Sequence, residues 1–263
     1  MLKLDAFKLK WIAIIGMILN HMVFAWYGFL PGWSLYVLYA AGGVTFPILA
    51  YFVVEGYKHT SNLFRYIMRL LIFAVISVPF HMIIFGGLGL NILFTIILCL
   101  LSLLLYDKIK IRVLFWLIFV VLNIITAIFM FDWMIIGPIV VILYYLIRNE
   151  NTRRIVPPIV AGVLWLSLSL FTIWGVSIGT VVLDATGPDY AMVVTGFGAM
   201  EVLMASPAFI IGCIAAAFLL KGFNGERGKR MKWLFYVIYP LHLAFLAGVA
   251  LAMGLTDLSR FGL

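Results

Sequence analysis

WIAIIGMILNHMVFAWYGFL, residues 11–30, runs for twenty residues without a formal charge. A hydrocarbon core about 30 Å thick needs about 20 mostly apolar residues per helix. Similar stretches fill most of the 263-residue chain, which is 66% hydrophobic and 11% charged. An average soluble domain is about 45–50% apolar and about 25% charged. No water-soluble core hides that much apolar surface, so the solvent is lipid. Helices are expected at 11–30, 34–54, 63–85, 91–106, 112–130, 133–147, 156–174, 192–220 and 233–254. They make one all-α polytopic membrane protein, a single bundle of about nine transmembrane helices spanning 1–263 as one domain. Residues 1–10 form a charged lead without a small-residue cleavage site, so the first helix is expected to stay as an anchor.

The basic residues orient the bundle, because cytoplasmic loops hold the Lys and Arg. Alternate connections carry Lys3, Lys8 and Lys10; Lys58, Arg65 and Arg69; Lys108, Lys110 and Arg112; Arg148, Arg153 and Arg154; and Lys221, Arg227, Lys229, Arg230 and Lys232. Of the 18 basic residues only Arg260 falls opposite, with Asp132, Asp184, Asp189 and Asp257. The N-terminus is therefore expected inside and the C-terminus outside, in the bacterial cytoplasmic (inner) membrane. The net charge of +8 follows from orientation, and no basic arm or recognition helix points to nucleic acid. The connection at 175–191 reads as an ordered loop or short re-entrant piece. A tenth span there would move the basic 221–232 loop to the other side. Inverted repeats of the transporter kind are not apparent, and Cys99 and Cys213 sit in apolar runs as small buried hydrophobes.

Polar groups in a bilayer cost a few kcal/mol each, so each needs a partner or a function. His21 lies eleven residues past Lys10, roughly 16 Å along a helix. His242 lies ten residues past Lys232, at a similar depth. Either imidazole is a candidate general base, and Glu201 a candidate to orient or neutralise one. The plain alternative is that these groups only hydrogen-bond between helices. Zinc is not expected, because His21, His81, His242 and Glu201 lack ligand spacing. Around one short cytoplasmic loop, Glu55, Lys58, His59, Arg65 and Arg69 gather, and the basic ones offer a nucleotide-phosphate site, since a guanidinium donates two hydrogen bonds at once. Positive charge that serves orientation alone accounts for them equally. Tyr236, Tyr239 and His242 drift around one face of the last helix, where Pro240 removes a backbone donor.

Six stretches carry a resemblance: LKWIAIIGMILNHM at 9–22, FPILAYFVVEGYKHT at 46–60, RYIMRLLIFAVISVPFHMIIFGG at 65–87, NILFTIILCLL at 91–101, DWMIIGP at 132–138 and KRMKWLFYVIYPLHL at 229–243. In this order, each with costly polar residues, they resemble the TraX family, the pilin N-acetylases of conjugative systems among the wider transmembrane acyltransferases. The resemblance implies transfer of an acetyl group from cytoplasmic acetyl-CoA to a pilin N-terminal amine or another peptide or envelope-glycan acceptor. Where the family often has Asp-His in its first helix, this chain has Asn20-His21, which puts a carboxylate role there in doubt.

Combined with that resemblance, the residues imply a mechanism. CoA phosphates rest near Lys58, His59, Arg65 and Arg69, and the thioester meets His21, with His242 as second choice for the base. Asn20, Asn91 or Tyr239 donate to the oxyanion, Asn91 counting also among the groups that hold the donor. Direct transfer and an acetyl-histidine route both stay open. Expected partners are membrane lipid and acyl-CoA, with no metal and no nucleic acid, and self-association is left open. The rival classes are a proton-coupled transporter or flippase and a non-enzymatic envelope assembly factor.

Overall fold

Asp5 starts the first helix. Its carboxylate accepts the Lys8 N–H at 2.8 Å, satisfying one of the donors a helix N-terminus leaves open, so α1 (Ala6–Ala25) begins ahead of the apolar run. The computed structural model describes residues 3–26, 29–85, 89–182, 199–229 and 232–255, with the side chains among them except those of 172–182, 199–204 and 232. After α1 come α2 (Gly32–His59), α3 (Leu63–Phe85), α4 (Ile92–Lys108), α5 (Arg112–Ile128), α6 (Ile136–Leu146), α7 (Glu150–Val182), α8 (Ala199–Lys221) and α9 (Lys232–Ala252). The described residues are otherwise joined by turns and by one isolated bridge, Leu4 to Phe223.

α7 starts earlier and ends later than expected. Asn149 Oδ1 accepts the Thr152 N–H at 3.0 Å, and Glu150 pairs with Arg153 and Arg154 one turn on. The helix therefore nucleates before Pro157 and Pro158 and absorbs them. Its far end takes in residues 175–182, part of the expected loop, because two glycines at about 1 kcal/mol each do not stop an apolar helix. The rest of that loop, to residue 198, lies outside the described residues. α6 starts at Ile136 rather than 133, because Trp133 (φ 62°) and Met134 (φ 23°) hold left-handed backbone.

Among the described residues, five helices are long and apolar enough to cross a membrane: Ala6–Ala25, Gly32–His59, Leu63–Phe85, Glu150–Phe171 and Trp233–Ala252. Their outward faces carry bare apolar side chains, with Phe64 72% and Phe245 65% exposed. In water such faces demand a partner; in hydrocarbon they are solvated. Membrane lipid is thus the medium of this protein.

α2 is the central post, packed on α1, α4, α6, α7 and α8, while α9 pairs chiefly with α3. Hydrocarbon supplies no hydrophobic pressure between helices, so small residues and hydrogen bonds must draw them together. A Cβ on Gly212 of α8 would strike the Ala40 carbonyl oxygen, and one on Gly43 of α2 the Phe209 carbonyl oxygen. Backbone therefore lies directly on backbone at this crossing. Thr45 adds a bond from its hydroxyl to the Ala13 carbonyl of α1, 3.1 Å.

Gly212→Val is expected to destabilise the bundle by several times the roughly 1–3 kcal/mol typical of overpacking, because rigid backbone must give way. Gly248→Ala, where an added Cβ meets nothing within 4 Å, is expected to be neutral. Thermal unfolding of detergent-solubilised protein, followed by size-exclusion profile, checks both.

Candidate functional site

His21, near the C-terminal end of α1, and His242, from the middle of α9, meet in the interior. His21 Nδ1 lies 2.8 Å from His242 Nε2, with the ring planes 18° apart. Both side chains are buried. The other nitrogen of His242, Nδ1, lies 2.9 Å from the Ile238 carbonyl oxygen, which can only accept. With both rings uncharged, the protons are then assigned. His242 Nδ1–H donates to Ile238, His242 Nε2 accepts from His21 Nδ1–H, and His21 Nε2 is left with a lone pair that meets no donor among the described residues.

His21 lines a chamber of about 100 Å³, walled also by Asn20, Phe85, Asp132, Trp133 and Trp165. Space for the Asn20 amide comes from Gly42, where a Cβ would sit 2.5 Å from Asn20 Nδ2. A third imidazole, His81, stacks on Phe85 with ring centroids 4.4 Å apart, while His21 meets the same ring edge-on at 5.5 Å. His81 Nε2 faces the Asp132 carboxylate at 3.3 and 3.4 Å. Asp132 is held by its own backbone, its N–H donating to Leu90 O at 2.8 Å and its carbonyl accepting from Thr95 Oγ1 at 2.5 Å. Trp133 stacks on Phe46 at 4.2 Å.

A larger cavity of about 230 Å³ runs beside the chamber, and Met17, Leu49 and Ile92 line both. Its walls are mostly apolar, with Tyr66, Tyr236 and Tyr239 among them, and its basic residues are Lys10, Arg227 and Lys229. Pro240, one residue past Tyr239, leaves the Tyr236 carbonyl without its helical donor at this cavity.

The remaining candidate residues disperse. Lys58 lies over the Tyr145 ring at 5.8 Å. His59 Nδ1 bonds the Glu55 carbonyl at 2.8 Å on an exposed helix end. Arg65 is exposed, and Arg69 lies 5.9 Å from the Tyr236 ring. None of these four lines the cavity. Asn91 is fully buried, accepting from Leu93 N at 3.1 Å and donating to Ala74 O at 2.9 Å, so its amide caps α4 and ties it to α3. Tyr239 packs beside both dyad rings, 5.3 Å from His242 and 6.5 Å from His21. The side chain of Glu201 lies outside the described residues.

Sequence reasoning took Lys10, Arg227 and Lys229 only as orientation markers and gave Trp133 and Trp165 no role. A signal existed: Lys10 directly abuts the apolar run of His21. Glu55, by contrast, belongs to a structural cluster. It pairs with buried Arg153, which also meets Glu150 at 3.0 Å and covers the Tyr51 ring at 4.6 Å. Arg153→Ala is expected to cost about 1–3 kcal/mol by leaving Glu55 without its arginine, while Glu150 keeps Arg154 and Tyr51, read as loss of thermal stability.

The proton assignment makes its own prediction. Solid-state nitrogen NMR of histidine-labelled protein in bilayers at neutral pH should find His21 and His242 both in the Nδ1–H tautomer, with His21 Nε2 unprotonated. His242→Phe should abolish the Nδ1 preference of His21.

Comparison with known proteins follows this geometry. A relative is the probable fimbrial assembly protein FimC, serogroup H1, of Dichelobacter nodosus, 27% identical over 266 aligned residues that cover 92% of this chain and 94% of that protein. No solved structure matches the chain. The family described as TraX protein matches residues 6–250, α1 to the last turn of α9 and so both histidines of the dyad; the chain belongs to the TraX family.

Proposed function

We propose that this protein is a membrane-embedded acetyltransferase that moves an acetyl group from cytoplasmic acetyl-CoA to the N-terminal amine of a pilin-like protein or to another peptide or envelope acceptor. In this reading nine helices span the bacterial inner membrane, with the basic loops and the N-terminus in the cytoplasm and the C-terminus outside. The observation that carries it is the bare Nε2 of His21 beside a chamber that shares its wall with an apolar cavity. A general base must present a lone pair to the reacting proton, and the tautomer chain leaves one on His21. The name of the relative, a fimbrial assembly protein, supports a pilin-related acceptor.

The chemistry balances within the chamber. The acceptor nitrogen attacks the thioester carbonyl carbon, forming the C–N bond, and gives its proton to His21 Nε2. Collapse of the tetrahedral intermediate breaks the C–S bond, and the His21 imidazolium returns the proton to the departing thiolate. His242 holds the His21 ring in the required tautomer and stabilises it while charged, acting through His21 rather than on the substrate. Asn20 is the chamber amide suited to the oxyanion, a role that lowers a barrier by about 3 kcal/mol.

His21→Ala is expected to lower transfer from labelled acetyl-CoA to a pilin N-terminal peptide by roughly 10²- to 10⁴-fold, with CoA binding retained. His242→Gln should lower kcat with KM little changed. A variant lacking His21 that transfers acetyl at the wild-type rate overturns the mechanism. The relative's name also favours a second reading, an assembly factor without catalysis. Purified wild-type protein that binds pilin yet neither transfers nor hydrolyses acetyl-CoA would establish it.

A further inference from the structure

Four cations of this protein are held by protein groups away from the cavity. Arg153 and Arg154 pair with Glu55 and Glu150. Arg112 lies 4.1 Å over the Tyr106 ring and donates to the Tyr106 carbonyl at 2.6 Å, and Lys58 covers Tyr145. Lys10, Arg227 and Lys229 stand together at the cavity. None forms an ion pair with a carboxylate among the described residues. Lys10 Nζ sits over the rings of Phe52 and Phe235 at 5.0 and 5.5 Å, and Arg227 is close enough to repel it electrostatically. Like charges brought together raise each other's free energy; solvent screens the exposed Arg227 and Lys229 in part, and a bound anion would lower the remainder.

The loop that carries two of them is held in place. Leu4 N donates to Gly222 O at 2.9 Å, Asn224 N to Leu4 O at 2.9 Å, and Ala6 N to Glu226 O at 2.8 Å. Gly228 has φ +66°, and a Cβ there would meet Asp5 Cγ and Phe7 Cβ at 2.8 Å. Only glycine turns the chain this tightly against α1, which sets Arg227 and Lys229 on either side of the turn. The carboxylate of Asp5 is itself occupied, accepting Lys8 N. A fixed loop gives up little entropy when an anion binds.

We propose that Lys10, Arg227 and Lys229 form the seat for the phosphate groups of a nucleotide-linked thioester donor whose flexible arm enters the apolar cavity toward His21. This rests on the acetyl-transfer reading and replaces the cluster at 55–69 as the phosphate site. The cavity lining changes along its length as such a ligand requires. It is basic at Lys10, then apolar along Ile14 and Met17, and Met17 is shared with the chamber. Lys10 to His21 is roughly 16 Å along α1. Phosphate is also the headgroup chemistry of anionic lipids, and the test distinguishes the two sources.

The full chain is reconstituted in nanodiscs of phosphatidylcholine, and again with phosphatidylglycerol added. Binding of coenzyme A and of pantetheine, which has the arm without the phosphates, is titrated for wild type, Arg227→Gln/Lys229→Gln and Lys58→Gln/Arg65→Gln. Expected are a loss of CoA affinity of roughly tenfold or more in the first double variant, unchanged pantetheine binding, and a CoA affinity within about twofold of wild type in the second. The pantetheine measurement reports an intact fold. Wild-type CoA affinity in Arg227→Gln/Lys229→Gln overturns the proposal. So does equal binding of CoA and pantetheine by wild type. Loss of bound phosphatidylglycerol without loss of CoA binding makes the mouth a lipid site and overturns it too. Wild type that binds neither CoA nor pantetheine overturns the acetyl-transfer reading itself.

Discussion

Helices dissolved in hydrocarbon gain nothing by hiding apolar surface from a solvent that is equally apolar. What draws them together is dispersion at close range and polar groups with nowhere else to bond. The crossing of α2 and α8 at Gly43 and Gly212 is the tightest expression of that constraint, with backbone oxygen lying where side chains would be. The rest of the interior is arranged around it. α2 also takes the Thr45 bond to α1 and makes room at Gly42 for Asn20. α1 is thereby fixed in rotation, so His21 faces inward to His242. A looser crossing would not disturb the chemistry of either imidazole, but it would remove the geometry that assigns their protons.

Buried polar groups in this protein include a paired cluster and an open chain. The Glu55–Arg153–Glu150–Tyr51 cluster pairs its opposite charges, with Tyr51 donating to Glu150 at 2.6 Å, and among the described residues Arg153 Nε finds no acceptor. It resembles a structural lock, costly to break and chemically inert. The chain from Ile238 through His242 to His21 is open at one end, and the open end is an acceptor beside a chamber. Stabilising an unused lone pair in a low-dielectric interior is unfavourable by about 1–3 kcal/mol. A bundle that satisfied only structural needs had cheaper choices at position 21.

Helix identity was legible because charge is so costly in lipid that apolar runs have sharp ends. α3 has the expected bounds, 63–85, its start marked by Asn62, which accepts Arg65 N at 2.8 Å. Where the same capping chemistry stood apart from the apolar run, at Asp5 and Asn149, the starts of α1 and α7 were placed too late. The shared depth of His21 and His242 followed from counting along two helices from Lys10 and Lys232. The direction of their hydrogen bond did not, because it depends on a carbonyl partner that only the backbone of α9 supplies. The grouping of Lys10 with Arg227 and Lys229 was illegible for a related reason. It depends on pairing between the N-terminal segment and residues 222–226, and isolated backbone bonds leave no trace in residue type.

The turn between α5 and α6 shows how far local preference is overridden near the chamber. Met130, Trp133 and Met134 all hold positive φ without being glycine, at about 1–3 kcal/mol each. Such strain persists only where surrounding contacts over-determine it. Here Asp132 is held by Leu90, Thr95 and His81, and Trp133 by the face of Phe46. A regular helix running on from α5 would have turned Asp132 and Trp133 in directions set by the helical repeat. The strained turn instead presents both to the chamber, opposite the basic end of the bundle. The wall there is thus rigid and preformed, with a carboxylate–imidazole pair built into it, while the other side is reached through an apolar cavity. An asymmetric chamber of that kind suits two substrates of different chemistry, a flexible arm from one side and a polar group from the other, better than a single solute crossing between equivalent gates.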